Sequence, residues 1–168
     1  MNTFLPFVDF VKSAAVLDDK RLYKQIVECK QILNTLSLKR GREAHAQCRQ
    51  DACPDTKRLK RIAWENHPAV LMWEGHDIEL RGFQTCCIRE WAIRRWGINY
   101  TDWKDLNYPN ADELQPSSIT WLGDESFHRA MRSNLKRKDP QHYTPLFEPD
   151  LPDNLEYVWP VQKQKVNA

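Results

Sequence analysis

No stretch of this 168-residue chain approaches the ~20 consecutive apolar positions that a membrane-crossing helix needs. Glycine is scarce, at five residues, and long β-branched runs are missing, which argues against a β-sandwich or barrel. Neither G-x-x-x-x-G-K-[ST] nor G-x-G-x-x-G occurs, so nucleoside triphosphate and dinucleotide chemistry have no phosphate cradle. Neither sign of charge prevails: 25 Lys and Arg stand against 23 Asp and Glu, a formal +2 that identifies no partner by itself. A basic leader is absent too. The opening MNTFLPFVDFVKSAAVLDDK carries Asp9 and Lys12 and reads as mature chain rather than signal peptide. The cysteines are odd in number, at five, and Cys86 and Cys87 are neighbours in a helical segment where successive side chains diverge. Free thiols in a reducing, cytoplasmic setting are the simplest expectation.

What is present is a soluble-type balance, 41% hydrophobic and 29% charged with seven Trp, in a length that suits one domain spanning 1–168. The pattern predicts a mainly α fold of about three helices with long irregular connections and an extended tail. Residues 1–13 read as an extended arm stiffened by Pro6. A first helix follows, capped by Asp18 or Asp19, with Leu22, Ile26, Cys29 and Leu33 on one apolar stripe, fading near Ser37 and ending before Gly41. Residues 39–61 read as a basic loop, interrupted by Pro54, with eight cations against three carboxylates. Asn66-His67-Pro68 announces a second helix with Asn66 as cap. Its stripe runs through Ala69, Trp73, His76, Leu80, Phe83, Cys87 and Trp91, with Gly75 and Gly82 inside it and Gly97 as the stop. Residues 98–120 are turn-rich. A third helix covers Asp124 to Lys138, and the proline-rich tail 140–168 carries Tyr143, Phe147, Tyr157 and Trp159 to pack back on the body.

Four patterns are candidates for chemistry. His45-x2-Cys48-x4-Cys53 has ligand-like spacing, with His67 or Cys86 as a possible fourth donor; a solvated loop with incidental thiols is the simpler reading, and no metal or other cofactor is expected. Clustered cations in 39–61 and 129–138 suit phosphate contacts. Arg129, Arg132 and Lys136 fall at i, i+3, i+7 on one helix face, Arg137 and Lys138 follow, and Ser133 and Asn134 are neutral donors. An ordinary solvated charged face is the alternative. His76 reads as a core histidine, whereas His128, just before the basic face, is the better ligand-facing candidate. On the first helix Lys24 precedes Glu28 by four residues, which by itself describes a surface ion pair.

The stretch L-D-D-K-R-L-x-x-x-x-x-E-C, beginning at Leu17, resembles the first helix of the phage-type pyrimidine-dimer DNA glycosylases with abasic-site lyase activity. In that family a short N-terminal arm precedes an L-x-D-x-[HR]-L-x-x-x-x-x-E helix whose Glu is catalytic. Asn66-His67-Pro68-Ala69-Val70-Leu71-Met72-Trp73, Trp121-Leu122-Gly123-Asp124, Arg132-Ser133-Asn134-Leu135, Arg137-Lys138-Asp139-Pro140 and Tyr157-Val158-Trp159-Pro160 resemble a bacterial and phage branch of it. The resemblance implies that Glu28 is catalytic and that Arg21 occupies the place of an active-site histidine. Val27 and Gln31 stand where the family has substrate-binding arginines. The nucleophile it implies is the N-terminal α-amine, belonging to Met1 or, after processing, to Asn2.

The implied activity is therefore a DNA N-glycosylase acting on damaged or modified pyrimidines, with abasic-site lyase chemistry, working as a monomer on duplex DNA. Lys20, Lys24, Gln31, His128 and the 129–138 cations are the expected DNA contacts, with Tyr23 or Trp64 as stacking groups. A non-catalytic DNA-binding protein on the same scaffold, or a small interaction module with basic faces, remains the alternative at this level.

Overall fold

A computed structural model describes residues 2–47, 62–98 and 119–160, with side chains at 45–47 excepted. The described elements are helices α1 (Phe10–Val16), α2 (Asp19–Gln47), α3 (Pro68–Leu71), α4 (Asp77–Trp96), α5 (Glu125–Lys138) and α6 (Pro140–Tyr143), then a 3-10 turn, Thr144–Leu146. Among the described residues there is no strand, and no helix is long and apolar enough to cross a membrane. Of the expected basic loop 39–61, residues 39–47 belong to α2 and 48–61 lie outside the described residues, as do 99–118 of the turn-rich 98–120, the tail beyond 160, Met1, Cys48, Cys53 and the side chain of His45.

Helix α2 spans about 43 Å at 29 residues. It starts because Asp18 accepts the backbone N–H of Arg21 at 3.1 Å, satisfying a donor that the first turn leaves open. It does not stop before Gly41 as the sequence suggests. Its last turns are tied by ion pairs to the chain that follows: Lys39 to Glu74 at 2.6 Å, Arg40 to Asp77 and Arg42 to Glu65. Its apolar stripe, with Leu22, Cys29, Ile32, Leu33 and Leu36 all buried, packs along α4.

The single second helix expected from the sequence is two. His67, not Asn66, caps α3 by accepting the N–H of Ala69 at 3.1 Å. The backbone then turns at Gly75, with φ +82°, and α4 begins after His76, which sits half-buried at the cap position rather than within a helical stripe. The stripe nonetheless faces one core, since Ala69, Trp73, Leu80, Phe83 and Cys87 are all fully buried. Gly97 ends α4 in the left-handed conformation as expected.

The arm is shorter than expected because α1 begins at Phe10, capped by Asp9. Residues 2–7 run between α2, Trp73 and α5, held residue by residue. Gln25 brackets the arm, accepting the N–H of Phe4 at 2.8 Å and donating to the Asn2 carbonyl at 3.3 Å. Thr3 accepts the indole N–H of Trp73 at 3.0 Å. The Leu5 carbonyl meets His128 at 2.8 Å, and the Pro6 carbonyl accepts from Arg132 at 2.8 Å. Thr3, Phe4 and Leu5 are buried.

Helix α5 matches its expected span, with Asp124 as cap accepting from Ser126 at 2.9 Å. It is covered on nearly every side, because the tail crosses its outer face. Ser133 accepts the N–H of Leu155 at 3.0 Å, Asn134 donates to the Leu155 carbonyl at 3.2 Å, and Lys136 donates to the Leu151 carbonyl at 2.7 Å. The tail aromatics pack back as expected, with Tyr143 and Phe147 buried and Tyr157 and Trp159 partly so.

Candidate active site

Where the arm crosses α2, the chain encloses a cavity of about 440 Å³. Its floor is Glu28, on the third turn of α2 and only 6% exposed. One carboxylate oxygen accepts the backbone N–H of Asn2 at 3.2 Å and the Gln25 amide at 3.4 Å; the other lies 3.8 Å from the Lys24 ammonium. A buried carboxylate needs such donors to remain charged. Asn2 Oδ1 is buried and has no hydrogen-bond partner among the described residues.

The lining combines cations with aromatic rings. Lys20, Arg21 and Lys24 come from the first turns of α2 and Lys138 from the end of α5. Burial, together with the neighbouring charges of Arg21, Arg137 and Lys24, holds the Lys138 ammonium below the ordinary lysine range, with Glu28 pulling the other way. Phe4, His67, Tyr157 and Trp159 complete the lining, and the Lys138 ammonium sits 6.0 Å from the Phe4 ring centroid. Tyr157 stacks on Trp159 with centroids 5.8 Å apart, and the His67 ring meets Trp159 edge-on at 6.0 Å. Burial raises the Tyr157 phenol above its ordinary pKa, partly offset by the Asn2 side chain, so it stays a neutral hydrogen-bonding group.

The expected residues divide cleanly. Glu28, Asn2, Arg21, Lys20, Lys24 and Lys138 converge on one cavity. Gln31 does not; it opens on a second hollow of about 380 Å³ with Thr35, Ile62 and Trp64. Val27 is exposed and outside the cavity lining. The cationic face read into α5 is not a face. Arg132 is 3% exposed and bonded to Glu125, Glu148 and the Pro6 carbonyl, while His128, Ser133 and Asn134 are buried and engaged by the arm and the tail. Lys136 is bound to the tail, Arg137 to Asn134, and Arg129 lies 3.6 Å from Asp150. The i, i+3, i+7 spacing is real, but it serves docking of the arm and tail. Tyr23 packs on Trp91 at 5.2 Å, and Trp64 borders the second hollow; neither lines the cavity. Composition and spacing did not single out Gln25, Tyr157 or Trp159 as site residues, and offered His67 only as a possible metal ligand; the signal that tied His67, Tyr157 and Trp159 to this site was their presence in the branch-like motifs.

The family model of pyrimidine dimer DNA glycosylases matches residues 1–104. The chain belongs to that family. No curated protein and no solved structure matches it. In this member of the pyrimidine dimer DNA glycosylases, the matched span supplies Asn2, the three α2 cations, Glu28 and His67, whereas Lys138, Tyr157 and Trp159 come from beyond it. Among the described residues no cluster of His, Cys, Asp and Glu is arranged to hold a metal ion.

Proposed function

We propose that this chain is a DNA N-glycosylase with abasic-site lyase activity on damaged or modified pyrimidines, using an N-terminal amine as nucleophile and Glu28 as its carboxylate partner. The observation that carries the reading is the 3.2 Å separation between the Asn2 backbone nitrogen and Glu28 Oε2. With Met1 removed that nitrogen is the α-amine; with Met1 retained the amine is one residue further along the same arm. An α-amine with pKa near 7.7 is roughly one-sixth neutral at pH 7, several hundred times the neutral fraction of an ordinary lysine.

The neutral amine attacks C1′ of the sugar and the base departs with the electron pair of the glycosidic bond. Glu28 takes the proton lost by the attacking nitrogen and stabilises the positive charge that builds on the sugar. The nitrogen's electron pair then forms the imine as the C1′–O4′ bond breaks and the sugar ring opens, with O4′ taking the proton from Glu28; the imine acidifies the 2′ hydrogen, and its loss expels the 3′ phosphate by β-elimination. A displaced base enters between Phe4 and the Tyr157–Trp159 pair, and Lys20, Lys24 and Lys138 meet the flanking phosphates.

Glu28→Gln keeps the shape and removes the charge, so base excision is expected to fall by ~10²-fold or more while DNA affinity changes little. Borohydride is expected to trap a protein–DNA adduct whose peptide maps to the first residue, and acetylation of the α-amine abolishes it. DNA bound with the same affinity but never cut or trapped would leave only the non-catalytic binder; an adduct on Lys20, Lys24 or Lys138 would move the nucleophile to a side chain.

A further inference from the structure

Among the described cations of the cavity rim, Arg21 is the one locked in place. We propose that Tyr143 and Asp18 are positioning residues that set the Arg21 guanidinium to hold a phosphodiester oxygen of the bound strand. Asp18 Oδ2 meets Arg21 Nη1 at 2.6 Å and also accepts the Tyr143 hydroxyl at 2.6 Å, while that hydroxyl accepts the backbone N–H of Asp18 at 3.1 Å. Asp139 lies 3.7 Å from the same Nη1, and the guanidinium carbon sits 5.7 Å from the Tyr143 ring centroid. Tyr143 is itself fully buried and stacked on Phe147 at 5.6 Å. A guanidinium has five N–H donors. Both carboxylates engage it through Nη1, and Arg21 lines the cavity together with Glu28. Lys20 and Lys24 are flexible stems that must be ordered when a phosphate arrives; Arg21 has already lost that freedom.

Burial and the Asp18 carboxylate both raise the Tyr143 phenol, which keeps it a donor. Burial works against charge on Asp18, but the Tyr143 and Arg21 hydrogen bonds outweigh it and hold the carboxyl below its ordinary range. Tyr143 and Asp139 lie beyond the 1–104 family match, so this device ties the C-terminal third of the chain to the site. The proposal takes its ligand, a DNA strand, from the function proposed above, but its test does not need turnover.

The test is a double-mutant cycle read by binding to a duplex with a tetrahydrofuran abasic analogue, with thermal melting of each variant alongside. Tyr143→Phe keeps the ring packing and removes only the hydroxyl; Asp18→Asn, which retains an oxygen for the α2 cap, is the second variant. Arg21→Ala should weaken binding and flatten the log–log salt slope by about 0.9, the value of one neutralised phosphate. Tyr143→Phe should weaken binding roughly tenfold in the wild-type background and not at all when Arg21 is already Ala. Equal losses in both backgrounds, or losses that track melting alone, would show that the hydroxyl only supports the fold and overturn the proposal. Incision by the wild-type protein reports on the parent reading separately: coupling without cutting would end the lyase assignment and leave the positioning pair standing.

Discussion

Both ring nitrogens of His128 are committed. The Gly123 backbone N–H must donate to Nε2 at 3.1 Å, so the ring hydrogen sits on Nδ1 and is given to the Leu5 carbonyl at 2.8 Å. A second proton on Nε2 would face an N–H and break that bond. Burial lowers the His128 pKa below its ordinary value, and the Leu5 bond only partly offsets this. The sign follows: in the unfolded chain His128 takes up a proton near pH 6.5, before the folded protein does. Its contribution to stability is full above about pH 6.5 and is lost as pH falls through that value towards the lower folded pKa. Melting temperature is therefore expected to drop between about pH 7.5 and pH 5.5. His128→Gln should flatten that part of the profile; a drop of the same size in the variant would place the sensitivity elsewhere. From sequence the same residue read as ligand-facing. Its position before a basic run was visible, but its partners are the arm, 123 positions away, and the turn just before the α5 cap.

At the scale of elements, periodicity revealed which sides of the helices face the core, but it ended α2 too early and ran α3 and α4 together. The Ala69-to-Trp91 stripe keeps its phase through the turn at Gly75, so nothing in the spacing shows the break. The break is carried by one left-handed residue, where an added Cβ meets no atom within 4 Å and the cost is backbone strain alone. Gly75→Ala should therefore cost about 1–2 kcal/mol, some 2–8 °C in melting temperature for a chain of this size. An unchanged melt would mean that the turn relaxes to negative φ. Gly41 misled in the opposite direction: a helix stop by local rule, it is carried through by the ion pairs of Lys39, Arg40 and Arg42 with the α3–α4 region. Helix α5 yields a sharper test. Arg132→Met keeps bulk but removes the bonds to Glu125, Glu148 and Pro6. Both carboxylates reach solvent, so the expected cost is that of broken charge-assisted hydrogen bonds, about 1.5–3 kcal/mol. DNA affinity at a temperature where the variant is folded should be unchanged. A selective loss of affinity with an unaltered melt would restore Arg132 to the DNA interface.

On the scale of the whole molecule, the site is where the two ends of the described chain meet across α2. The L-D-D-K-R-L helix and its Glu28 were legible because they lie within a dozen residues. The aromatic wall was not, because Phe4, His67 and Trp159 converge only through tertiary packing. Electrostatics follows the same division. With a formal charge of only +2, DNA attraction must come from local excess. Lys20, Lys24 and Lys138 all line the cavity, whereas Arg129 on α5 lies 3.6 Å from Asp150 and outside that lining. Counterion release turns this placement into a measurement. Replacing Lys20, Lys24 and Lys138 by Ala should reduce the slope of log affinity against log salt by about 0.9 for each phosphate no longer neutralised, on damaged and undamaged duplexes alike. Replacing Arg129 by Ala should leave the slope where it was, since Arg129 is not among the residues that line the cavity. If the lysine variant keeps the wild-type slope while the Arg129 variant flattens it, the duplex docks on α5 and not across the Glu28 cavity, and the amine, the carboxylate and the aromatic wall lose their claim on the substrate together.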